Sequence, residues 1–166
     1  MTKTFQIITD SSCDLPQSLA DELDLRVLPL HVTIDGKTYN NYLDGREIAF
    51  KDFFDKLRAG SQGTTSAVNP EEFRAEMEPV LAAGLDVLYV GFSSGLSTTY
   101  QSGCIAADEL REKYPERKIL TIDSLGASLG EEIRVTAEPL ATAALGFSKI
   151  LGTEKSKPRS TRSNTK

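Results

Sequence analysis

Short apolar runs alternate with amphipathic stretches along most of this chain. Residues 5–9 (FQIIT) form a β-branched run that stops at the turn-forming Asp10-Ser11-Ser12, which predicts a buried strand. A helix follows from about Pro16, with Leu15, Leu19 and Leu23 on one stripe. Residues 26–34 predict a second strand, with Leu28, Leu30, Val32 and Ile34 on one face and His31 on the other. Asp35-Gly36 is a two-residue hairpin signal leading into residues 37–39. Phe50, Phe53, Phe54 and Leu57 recur at i, i+3, i+4 and i+7, so a helix is expected over 46–58, stopped by Ala59-Gly60.

A polar loop, 61–68, comes next. Asn69-Pro70-Glu71-Glu72 then opens another helix: the Asn69 side chain can accept from free N–H groups, and Pro70 costs nothing in the first turn, where no N–H is needed. Its core stripe is Phe73, Met77, Val80 and Leu81, and Gly84 ends it. Residues 87–92 (VLYVGF) lack polar alternation, as a central strand of a parallel sheet should. The loop Ser93-Ser94-Gly95-Leu96-Ser97 enters a helix reaching about Lys113, with Tyr100, Cys104, Ala107 and Tyr114 inward, and 118–123 is the last strand. The βαβ alternation predicts an α/β fold, a mostly parallel sheet with helices on both faces. One domain is expected over 1–130. Residues 131–151 have weak periodicity and a helix-breaking Pro139, and 152–166 hold no hydrophobic residue, which predicts a disordered basic tail.

The net charge of −5 argues against a nucleic-acid partner, which requires a basic footprint. No stretch approaches the ~20 apolar residues that span a bilayer, so no stable membrane insertion is expected. The opening residues become a strand too soon for a signal peptide, and the expected location is cytoplasmic. Cys13 and Cys104 have no metal or CxxC spacing; Cys104 reads as core and Cys13 as a small loop residue. A lone histidine builds no metal site, and His31 is given no role.

Ligands of open α/β sheets sit beyond the carboxyl ends of the strands, near helix N-termini. Three hydroxyl-rich segments belong there: Asp10-Ser11-Ser12, Thr64-Thr65-Ser66 and Ser93-Ser94-Gly95. Backbone N–H groups, hydroxyls and the positive end of a helix could converge on one anion, or the same residues could serve turns and caps alone. No Lys, Arg or His lies in these segments, which suits a carboxylate better than a bulky phosphate. No GxSxG, GxGxxG or GxxxxGK[ST] pattern occurs, so catalysis is not expected and no cofactor or metal is implied. A phosphate- or nucleotide-binding α/β domain remains the rival reading.

ITDSSCDLP at 8–16, VLPLHVTIDGKTY at 27–39, TTSAVNPEEF at 64–73, SSGLSTTYQS at 93–102 and TIDSLGASLG at 121–130 resemble, in order, successive signatures of the DegV family. The resemblance covers about residues 3–130 and implies the family's N-terminal α/β domain. Family members bind a long-chain fatty acid between two domains, and some present its carboxylate to a fatty-acid kinase. By resemblance, Thr65 and Ser66 match the family's Thr-Ser pair, and Ser93 and Ser94 its Ser-Ser-Gly-Leu-Ser loop; all four would donate to the carboxylate. Ala67-Val68 stand where Gln-Pro is usual, and Thr98 replaces a usual Gly.

The family continues into a second domain that this chain does not resemble. The compositional change near Glu131 suggests a frameshift, and the chain is expected to be a truncated, impaired carrier or a non-functional remnant. Each buried methylene is worth about 0.8 kcal/mol. Losing half of a tunnel wall would therefore cost about 5 kcal/mol, or three to four decades of affinity. The head-group residues are expected to persist while tight acyl binding by this chain alone is not.

Overall fold

The computed structural model describes residues 3–128, so the expected segments 131–151 and 152–166 lie outside the described residues. The order is β1 (Phe5–Asp10), a 3-10 turn (Ser11–Cys13), α1 (Gln17–Glu22), β2 (Arg26–Leu28), β3 (Leu30–Ile34), β4 (Lys37–Asn41), α2 (Phe50–Arg58), β5 (Gly63–Ser66), α3 (Pro70–Ala82), β6 (Asp86–Gly91), α4 (Thr99–Lys113) and β7 (Ile119–Asp123). Four strands make a parallel sheet in the order β2-β1-β6-β7.

Successive side chains of a strand point to opposite faces, and β1 and β6 are apolar on both. Ile8, Val87 and Tyr89 face one side, packed with Phe73, Met77 and Leu81 of α3 and Ala106, Ala107 and Leu110 of α4. Ile7, Leu88 and Val90 face the other, beside Cys13, Leu15 and Leu19. The α/β fold with helices on both faces follows. The start of α3 is as expected: Asn69 Oδ1 accepts from the Glu71 and Glu72 N–H groups, and the Glu72 carboxylate accepts from the Asn69 N–H.

Three strands leave the parallel sheet. The expected single strand over 26–34 is two, because Pro29 has no N–H to continue a ladder. Before it, β2 pairs parallel with β1; after it, β3 is the middle of a separate antiparallel sheet, β4-β3-β5. The β3–β4 hairpin turns at Asp35 and Gly36, whose φ values of 52° and 76° are those of the two-residue turn expected there. The expected loop over 61–68 contains β5, whose four residues, a glycine and three hydroxyl side chains, are all exposed and give no apolar signal; its partner β3 specifies it. The helix expected over 46–58 starts only at Phe50, and none of its residues is buried. Phe50 and Phe54 are 51% and 50% exposed. The cysteines are reversed: Cys13 is fully buried, tucked beneath β1 and β6, and Cys104 is half-buried.

Candidate ligand site at the carboxyl edge

The carboxyl ends of β1 and β6 are bound together by Asp10. Its side chain accepts from the Ser12 N–H (3.1 Å), the Phe92 N–H (3.2 Å), the Tyr89 hydroxyl (3.3 Å) and the Ser12 hydroxyl. Asp10 is completely buried. Burial pushes its carboxyl above the ordinary 3.8, opposed by those same hydrogen bonds. The next residue carries the second sheet: Ser11 Oγ accepts from the Leu30 N–H at 3.0 Å and from Asn41 Nδ2 at 3.3 Å. The antiparallel sheet thus starts at the carboxyl edge of the parallel one. Because Ser66 pairs with His31, the far end of β5 also lies toward that edge.

A cavity of 280 Å³ opens between this sheet and α2. Leu30, Val32, Ile48, Phe50, Phe53 and Phe54 give it an apolar wall, and Thr65 brings a hydroxyl to it. No Lys or Arg is among its lining residues; His31 and Asp14 are its titratable side chains apart from Tyr42. A second cavity of 240 Å³ shares Asp14, Asn41, Tyr42 and Phe50 with the first and runs on to Ser11 and Leu15.

Of the four expected donors, Thr65 lines the larger cavity, and Ser66, Ser93 and Ser94 do not. Thr65 pairs with Val32 and Ser66 with His31, so strand alternation directs the two hydroxyl residues to opposite faces of β5. Ser93 is buried at the end of β6 and Ser94 is exposed. The backbone donors of this loop, expected to serve an anion, are committed within the chain. Ser93 N–H donates to the Gly126 carbonyl at 3.1 Å, and Ser94 N–H donates to Asp123 Oδ1 at 3.2 Å. Only their hydroxyls can serve a ligand. Helix α4 begins at Thr99, five residues beyond Ser94, and the Thr99 N–H donates to Ser97 Oγ at 3.1 Å.

Sequence reasoning missed the aromatic wall and His31. The Phe50, Phe53, Phe54 spacing was visible as a helical stripe, but nothing local says that such a stripe lines a cavity rather than a core. Among the described residues, no cluster of His, Cys, Asp or Glu could hold a metal ion, and no helix is long and apolar enough to cross a membrane.

Comparison with known proteins gives the site its context. The family model for uncharacterised proteins of the DegV family matches residues 4–151. A DegV domain-containing protein of Clostridium perfringens is 42% identical over 133 residues, which are 80% of this chain and 45% of that protein. Among solved structures, a DegV family protein from Thermus thermophilus with fatty acid binding superposes at a TM-score of 0.75 with 34% identity, over 90% of this chain and 51% of its own. A stearic-acid-binding protein from Eubacterium ventriosum shares the fold at a TM-score of 0.78 with 22% identity, over 92% of this chain and 52% of its own. The chain spans about half the length of the relatives it matches. This chain belongs to the DegV family.

Proposed function

We propose that this chain binds a long-chain fatty acid by its carboxylate, with Thr65 as the hydroxyl donor at the described cavity, and catalyses no reaction; Ser66, Ser93 and Ser94 do not line that cavity and are not assigned to it. The observation that carries the reading is the aromatic and aliphatic cavity beneath α2 with the Thr65 hydroxyl on its wall. Apolar walls with a few placed polar groups are the usual form of a small-molecule site, and the absence of Lys and Arg from this one disfavours a phosphate. The fatty-acid-binding relative from Thermus thermophilus supports the same ligand class. A volume of 280 Å³ sits at the low edge of the range of about 300–1,000 Å³ for ligand pockets. The described residues therefore hold part of an acyl chain, and binding by them alone is weak. Presentation of the acid to a fatty-acid kinase is the role this reading gives the carboxylate end, at the exposed rim marked by Ser94.

Parallel fluorescence titrations with a labelled long-chain fatty acid and with a labelled nucleotide test the reading. Saturable binding of the fatty acid alone is expected. Nucleotide binding with no fatty-acid binding would make this a phosphate site, and binding of neither would leave a domain without the proposed function.

A further inference from the structure

His31 lines the cavity from β3 and sits between Glu72 of α3 and Asn40 of β4, and these two partners set which of its nitrogens must donate. Its Nε2 lies 2.8 Å from Glu72 Oε1 of α3, and its Nδ1 lies 2.8 Å from Asn40 Oδ1 of β4. An ionised carboxylate only accepts, so Nε2 must donate. The other end is fixed one residue further out. Asn40 Nδ2 donates to Glu47 Oε1 at 2.8 Å, and the Asn40 N–H donates to Glu47 Oε2 at 2.6 Å. Glu47 thereby holds the Asn40 amide with its oxygen toward the ring, so Nδ1 must donate as well. A neutral imidazole has one N–H and can satisfy one of the two; the imidazolium satisfies both.

The surroundings agree. Glu72 faces the ring from α3, and Glu47 approaches from the β4 side with the charge of Lys37 acting on it; β5 brings the uncharged Ser66, paired across from His31. Asp14 lines the same cavity from the 3-10 turn. The Glu47 carboxyl is held below its ordinary 4.5, first by its hydrogen bonds to Asn40 and also by the charges of Lys37 and His31. The ring is mostly shielded, with 20% of its side chain exposed. Glu72 is also half of the box that starts α3, and Glu47 belongs to the segment leading into α2.

We propose that His31 is a positioning residue: its doubly protonated ring ties the first turn of α3 to β4 and the segment before α2, and so holds the cavity in its binding shape. A ring with a single proton can donate to only one of its two partners, so the cavity loosens when the second proton is lost. The consequence for ligand rests on the fatty-acid reading above; the state of the ring does not.

The chain has a single histidine, so a long-range proton–nitrogen correlation spectrum reads its ring without ambiguity. Both ring nitrogens are expected to carry protons in the folded protein, because each faces an acceptor. As rising pH removes the second ring proton, amide protection at Asn69 or Asn40, corrected for intrinsic exchange, should fall about tenfold, the loss of one charged hydrogen bond. A labelled palmitate should weaken over the same rise in pH in the wild type and show a flat profile in His31→Gln, which cannot donate at both ends. A ring that never carries two N–H protons in the folded protein, or protection independent of pH, overturns the proposal. Palmitate bound with the same pH profile in both proteins also overturns it and leaves lipid binding standing. Palmitate bound at no pH, with amide protection still following the ring, supports the tie between α3 and β4 and overturns the fatty-acid reading instead.

Discussion

Tyr89 and Gly103 meet so closely that a Cβ on Gly103 would lie 2.4 Å from Tyr89 Cε1. The bare backbone of α4 lets the phenol lie beneath the helix, edge-on to Phe73 with ring centroids 4.8 Å apart, and reach Asp10 Oδ2 at 3.3 Å. Gly103, together with Gly91 on β6, where a Cβ would lie 2.4 Å from the Tyr89 hydroxyl, leaves the room that this phenol fills. Gly103→Ala should destabilise the fold by about 1–3 kcal/mol by overpacking. That outweighs the roughly 0.5–1 kcal/mol that Ala gains over Gly in a helix. Urea unfolding measures the balance, and an unchanged or more stable variant would show that Tyr89 moves freely.

Asp10 makes a prediction about pH. Burial raises its folded value above 3.8, so the folded chain holds that proton more tightly than the unfolded chain does. Its contribution to stability is full below pH 3.8 and is lost as pH rises through the raised value. Asp10→Asn removes this dependence while disturbing the hydrogen bond from the Phe92 N–H. Relative to wild type, the variant should gain stability as pH rises above 3.8 and through the raised value of Asp10, whatever its offset. A gap that is flat with pH would mean that the carboxylate is fully compensated by its donors.

The start of α3 is expected to behave as a capped helix. Asn69→Ala removes the acceptor for two N–H groups and should cost about 1 kcal/mol, within the usual 0.5–2. Thermal or urea unfolding checks it. A loss well under this would mean that water replaces the cap at no cost.

The binding reading separates from stability at two exposed positions. Thr65→Val removes the hydroxyl and keeps the shape, so stability should stay within about 0.5 kcal/mol. Fatty-acid affinity should drop about tenfold or more, as for one hydrogen bond to a charged group. Phe54→Ser removes half-exposed wall from the cavity and should weaken longer acyl chains more than shorter ones, at about 0.8 kcal/mol per methylene no longer covered. Equal losses for all chain lengths would place the acyl chain elsewhere.

The central strands of the parallel sheet, the start of α3 and the β3–β4 turn were legible because their causes are local. Residues 87–92 are apolar on both faces, Asn69-Pro70-Glu71-Glu72 carries its own cap, and Asp35-Gly36 carries its own turn. The hydroxyl-rich loops were visible for the same reason, and their order along the chain was enough to indicate the family. Tertiary structure decided what depends on partners distant in sequence. Strand β5 has no apolar pattern and exists because β3 offers a ladder. The break at Pro29 was written in the sequence, but which sheet receives β3 was not. Only the fold turned the Phe50, Phe53 and Phe54 stripe into a cavity wall, and only the fold brought Glu72 and Asn40 to the two nitrogens of His31. Periodicity and capping act over a few residues and can be read along the chain. Cavities and shared protons depend on contacts between residues far apart in sequence, and these exist only once the chain has folded.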